Sequence, residues 1–219
     1  MKKLLITLVV LAALFVVADR VAVRYVDRAV GDRMQEDGRL QSRPDVQVRG
    51  FPFLTQALSG SYQQVDVHIR DLQRNGLTLS RLDVTVDGAK LPLSKVGNAT
   101  DVPVNALHAT AIVSYLELAH DSGLAGVTIR PAGDHVEVTG KVAGVRATAK
   151  STLTLKGDRI VVTARSISAL GVSSPTGGVL DFSVRIPALP FGLHLDSAVA
   201  RPDGVHLTAS SGPTTLTPQ

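Results

Sequence analysis

Acid–base, nucleophilic or metal chemistry in this chain would fall to histidines, carboxylates and hydroxyls, because its 219 residues include no cysteine. The six histidines are His68, His108, His120, His135, His194 and His206. A helix brings residues three or four apart onto one face, where two imidazoles can hold one metal ion. No two histidines here have that spacing. Strands distant in sequence can still gather histidines, but His68, His108 and His206 fall in the polar slots of alternating segments, as solvated strand residues do. Asp66, Asp83 and Asp181 also alternate with apolar neighbours, which predicts a wet face for each rather than a catalytic pair of carboxylates. The chain has no G-x-S-x-G elbow, no H-E-x-x-H, no P-loop and no G-x-G-x-x-G. These residues point away from an enzyme and ask for no metal and no cofactor.

Apolar groups are the other candidates. Aromatics make up 4% of the chain, with five phenylalanines in all, yet two of them flank a proline in "RGFPFLTQALSGSYQQVDVHI". Pro52 fixes its own φ and biases Phe51 towards an extended shape. Phe51 and Phe53 share a face if the segment stays extended. Leu54 and Leu58 share one if Phe53 to Leu58 turns helical. Such a cluster can line a groove, dip into a membrane or plug a core, and all three uses stay open. Burial of an acyl chain contributes about 0.8 kcal/mol per CH₂, so a lipid groove needs apolar walls rather than reactive groups. "ALPFGLHLDSA" repeats the Pro-Phe pair near the other end, at Phe191.

The formal charge is +4, from 23 basic and 19 acidic residues. That balance, with few aromatics on which bases could stack, excludes a dedicated nucleic-acid binder. A mildly basic surface still suits an anionic membrane.

The elements that must position these residues begin with "MKKLLITLVVLAALFVVADR". Lys2 and Lys3 precede an apolar run from Leu4 to Ala18, the order of an export signal. Residues 1–18 are either cut after Ala18 or continue through Val21, Ala22 and Val23 as an uncut anchor, with the lysines inside. Residues 19 to 37 read as helix, with an apolar stripe of Val26, Val30 and Met34. Arg20, Arg24 and Arg28 form a second row. That row can touch lipid phosphates, or it can be a solvated face with Arg28 paired to Asp32.

From Val46 onward the period changes to two, as in Val65-Asp66-Val67-His68-Ile69 and Leu180-Asp181-Phe182-Ser183-Val184. Strict alternation predicts antiparallel strands with one buried face. Asp87-Gly88, Gly157-Asp158 and Pro202-Asp203-Gly204 read as turns, and "TLTLKGDRIVVTA" as a hairpin. "SYLE" is a capping box, Ser114 with Glu117, that opens a helix with Gly123 as its stop. The tail from residue 213 to 219 is expected to fray.

"GFPFLTQALSGSYQQVDVHI", "SYLELAHDSG" and "LPFGLHLDSAVARPDGVHLTASSG" together resemble the LmeA-like family of actinobacterial phospholipid-binding cell-envelope proteins. Gly50, Phe51, Pro52, Phe53, Leu54, Gly60, Tyr62, Val65, Asp66 and Val67 carry the first motif. The resemblance spans roughly residues 20 to 212. It implies a role outside the cytoplasmic membrane, phospholipid binding, and support of envelope lipid or lipoglycan assembly. It also implies a TULIP-like fold, that of tubular lipid-binding domains.

The expected fold class is therefore α+β: a long curved antiparallel sheet wrapped around amphipathic helices, in one lipid-binding domain over residues 19–212. Expected lipid-lining residues are Phe51, Phe53, Leu54, Leu58, Leu116, Phe182 and Phe191, and expected membrane-surface residues are Arg20, Arg24 and Arg28. The expected partners are an anionic or phosphoinositide-like phospholipid and the membrane surface, at an extracytoplasmic location. The main rival is a scaffolding domain that binds envelope glycan or a glycosyltransferase. A second rival, an envelope hydrolase, requires His, Ser and carboxylates to converge in one cleft.

Overall fold

The computed structural model describes residues 2–38, 40–74, 77–92, 101–170, 172–174, 178, 180–186 and 189–217. In chain order the elements are α1 (Lys2–Gly38), β1 (Asp45–Arg49), α2 (Phe53–Ser59), β2 (Ser61–Arg74), β3 (Leu77–Lys90), β4 (Val102–Val104), β5 (Ala106–Val113) and α3 (Tyr115–His120). They continue with β6 (Thr128–Ala132), β7 (His135–Val142), β8 (Val145–Lys156), β9 (Arg159–Ala169), β10 (Val172–Ser174) and β11 (Phe182–Arg185). The last three are β12 (His194–Arg201), β13 (Gly204–Ser211) and β14 (Thr214–Leu216). The class is α+β on antiparallel sheet, as the alternation predicts.

The strand orders are β1-β2-β3-β5-β13-β12, then β10-β9-β8-β7-β6 with β11 also on β9, then the pair β14-β4. The chain divides into two compact units. The first holds Met1–Ile69, Asp83–His108 and Ser211–Gln219; the second holds Arg70–Leu82 and Ala109–Ser210.

The second unit has the core that alternation makes. Ile160, Val162 and Ala164 on β9, Val136 and Val138 on β7, and Val205 and Leu207 on β13 all join one buried aliphatic cluster. The Gly157-Asp158 turn joins β8 to β9, and Lys156 faces Arg159 across it. A register shift between Lys150 and Ser151 interrupts that ladder. α3 starts as the capping box predicts, since the Glu117 N–H donates to Ser114 Oγ at 3.1 Å. The reciprocal half is not made: the Glu117 carboxylate instead accepts the Thr78 N–H at 2.9 Å. The helix ends at His120, before Gly123.

The first unit is fastened differently. α1 is one unbroken helix of 37 residues. Its inner face is Asp19, Val23, Asp27 and Gly31, one residue every turn. Asp19 Oδ1 accepts the Leu54 N–H at 2.8 Å, and Asp27 Oδ1 accepts the Val48 N–H at 2.9 Å. A Cβ at Gly31 would lie 2.8 Å from the Pro44 carbonyl, so only glycine allows this approach. Val23 then packs with Phe53 and Ala57.

Four expectations change here. The buried stripe of α1 runs through Val23 rather than Val30, which is exposed. Asp32 pairs with Arg43 at 3.1 Å, not with Arg28. Asp87-Gly88 is not a turn: β3 runs through it, with Gly88 at φ +65° and the Asp87 carbonyl accepting the Asn105 N–H. Residues 214–216, expected to fray, pair with β4 instead, and Thr217 Oγ1 donates to Asp101 at 3.0 Å.

Candidate lipid-binding site

In the first unit, "GFPFLTQALSG" folds into a latch. Gly50 takes φ +98°, and a Cβ there would meet the Gln56 side chain at 2.6 Å. That side chain is buried because it bonds both ways: Nε2 donates to the Arg49 carbonyl at 3.1 Å and Oε1 accepts the Gln63 N–H at 2.8 Å. Pro52 precedes the first turn of α2, where its missing N–H costs nothing. Phe53 is 4% exposed and packs against Val23 and Ala57, with the Tyr62 ring 6.4 Å away. Phe53 therefore plugs this core.

Phe51 turns the other way and is 55% exposed, so the two phenylalanines do not share a face. The Arg20 guanidinium lies over its ring, 4.9 Å from the centroid, and also pairs with Asp19 at 2.8 Å. Leu54 is half-buried in the cluster, and Leu58, one turn on, is 80% exposed. Arg24 and Arg28 are exposed and make no ion pair among the described residues.

Asp66, expected on a wet face, is buried. It accepts Arg49 Nε at 2.7 Å, Gln64 Nε2 at 2.8 Å and Thr85 Oγ1 at 3.0 Å. Burial pushes its carboxyl up, but the hydrogen bonds from Gln64, Arg49 and Thr85 outweigh that and hold it below the usual carboxylate range. The V-D-V aspartate thus ties β1, β2 and β3 together.

In the second unit, α3 borders an open cleft of about 380 Å³ lined by Leu116, Ala119, His120, Leu124, Ala125, Gly126 and Val127. That volume is in the range of ~300–1,000 Å³ typical of small-molecule sites. Leu116 is 82% exposed on this rim. Ser114 sets the start of the helix, so Leu116 and Ala119 fall three apart on one face. His120 lines the cleft and pairs with its neighbour Asp121 at 3.0 Å. The cleft presents mainly aliphatic side chains, with one imidazole among them. Phe182 does not reach this surface; it is buried in the aliphatic core. Phe191 is half-buried in a turn at φ +58°, a backbone setting rare outside glycine. The capping box located α3, but the far wall from Leu124 to Gly126 carried no periodic signal, and Val127 showed only the alternation with Ile129 that marks a strand.

Every histidine has one aspartate within 4 Å, and the six pairs share no member. Among the described residues, no three of His, Asp and Glu are placed to hold a metal ion. The buried Ser151 hydroxyl has no hydrogen-bond partner among them either.

A family model described as LmeA-like phospholipid-binding matches residues 17–210. The chain belongs to the LmeA-like phospholipid-binding family. The matched stretch takes in the latch, the Asp66 network and the α3 cleft. A lipid-binding family also supports the TULIP-like reading of this α+β chain. No curated protein and no solved structure matches it.

Proposed function

We propose that this protein is exported, stays tethered to the outer face of the membrane by α1, and binds a phospholipid acyl chain at the α3 cleft. The observation that carries the reading is the cleft itself: an apolar recess rimmed by exposed Leu116, in a chain of a phospholipid-binding family. An exposed leucine on a recess loses solvent contact when a chain enters, at about 25 cal/mol per Å² of apolar surface. In the first unit Phe51 and Leu58 expose apolar surface of their own, while Phe53 and Phe182 each support their unit from within.

Retention of the anchor is supported by α1. It is long and apolar enough to cross a membrane. Cleavage after Ala18 would fall inside an unbroken helix, directly before Asp19, which is 0% exposed. A preference for anionic or phosphoinositide-like lipid is supported by the Arg20, Arg24 and Arg28 row beside the span.

Native mass spectrometry of the full chain, extracted from membranes in detergent, tests the reading. A stoichiometric phospholipid is expected, and Leu116→Asp is expected to lose it. Lipid held around α1 alone is common to both forms, so only the difference counts. A wild-type protein as lipid-free as the variant sinks the proposal.

A further inference from the structure

We infer that Phe51 is a membrane wedge: its ring enters the outer boundary of the bilayer at the depth at which α1 leaves it. This rests on α1 as a retained span, and does not depend on what the α3 cleft holds.

The argument is one of length and attachment. The apolar run Leu4–Ala18 is about 22 Å long at 1.5 Å per residue. A bilayer's hydrocarbon core is about 30 Å thick. A short span is matched by thinning the bilayer or by drawing flanking groups into it. The groups flanking the outer end are suited to that. Val21 and Tyr25 are exposed on α1. Arg20 and Arg24 have long stems that can snorkel to phosphates. Exposed Phe51 is held beside them, because Asp19 takes the Leu54 N–H and Arg20 lies over the Phe51 ring. The latch therefore fixes the ring at the level of helix position 20. Trp and Tyr rings are favoured at that level of a membrane, and exposed Phe enters the headgroup–acyl boundary just inside it. Within the segment, Gly50, Phe53 and Gln56 have structural work to do, and the exposed Phe51 ring touches only Arg20 among the ring contacts described.

The chain has no tryptophan, so one added indole reports its own depth. Three single variants of the full chain are compared: Phe51→Trp, Val21→Trp and Arg33→Trp. Each is reconstituted in vesicles of phosphatidylcholine and phosphatidylglycerol with brominated acyl chains. Val21→Trp marks the outer end of the span. Arg33→Trp, exposed on the same helix, lies about 20 Å beyond Arg20. Phe51→Trp is expected to match Val21→Trp, with blue-shifted emission that loses most of its intensity to bromines near the carbonyl end of the chains. Emission as red and unquenched as that of Arg33→Trp overturns the wedge. So does absence of quenching in all three, which removes the span itself. A quenched Phe51→Trp in a protein that carries no cleft lipid leaves the wedge standing and the α3 site refuted.

Discussion

The two compact units hold together by different means. In the second, alternating strands bury Ile160, Val162, Val136 and Val138 against one another, and a buried Ser151 hydroxyl without a partner among the described residues is a liability. In the first, strands also bury apolar residues such as Val46, Val67, Val86, Val104 and Leu107, but α1 is held to α2 and β1 by a small cluster of Val23, Phe53 and Ala57 together with polar side chains: Asp19, Asp27, Gln56 and, on the strands, Asp66. Polarity inside a protein is costly when unpaired and valuable when each group finds its partner. The signature residues of the first unit attach a helix to a strand pair, and so fix where the long apolar helix meets the folded chain.

Four substitutions can break or sharpen this contrast. The largest effect is expected from Phe53→Ala, at about 3–5 kcal/mol. Hydrogen exchange should show α2 and β1 amides losing protection while β8 and β9 keep theirs. Equal loss in both would mean that the units are not separately held. Next comes Asp66→Asn, at about 2–3 kcal/mol for hydrogen bonds to a buried charge. A carboxyl held below its unfolded value, about 3.9, stabilises the fold above that value and loses the contribution as pH falls. The gap between wild type and variant in urea unfolding should therefore be largest near neutrality and shrink below about pH 4. A pH-independent gap would assign Asp66 a purely steric role.

Ser151→Ala is expected to act in the opposite direction, raising stability by about 1 kcal/mol by removing an unpaired buried hydroxyl. Destabilisation on thermal unfolding would reveal a partner for that oxygen. Leu116→Asp should have the smallest effect on unfolding, within about 0.5 kcal/mol, as exposed positions do. A large loss of stability would make Leu116 a packing residue instead of a cleft rim.

Much of the fold was legible because its causes are local. The antiparallel strands follow from period-two alternation, the β8–β9 hairpin from Gly157-Asp158, the start of α3 from Ser114, and the long apolar start of α1 from its first eighteen residues. The candidate site was legible only in part. Leu116 could be named, but not the wall formed by Leu124 and Val127, whose meeting with α3 depends on how the chain returns. Alternation also misplaced Asp66, because it counts faces and cannot see Arg49, Gln64 and Thr85 converge on one of them.

By itself, then, the sequence determined the strand pattern, the caps, the apolar N-terminal run and the family motif, since each is written within a few neighbouring residues. Tertiary structure alone decided that Phe53 goes in and Phe51 out, that Asp19 is buried at the end of the apolar run, and that the tail pairs with β4. The reason is physical: exposure and hydrogen-bond partners belong to segments distant in sequence, and only folding brings them within reach.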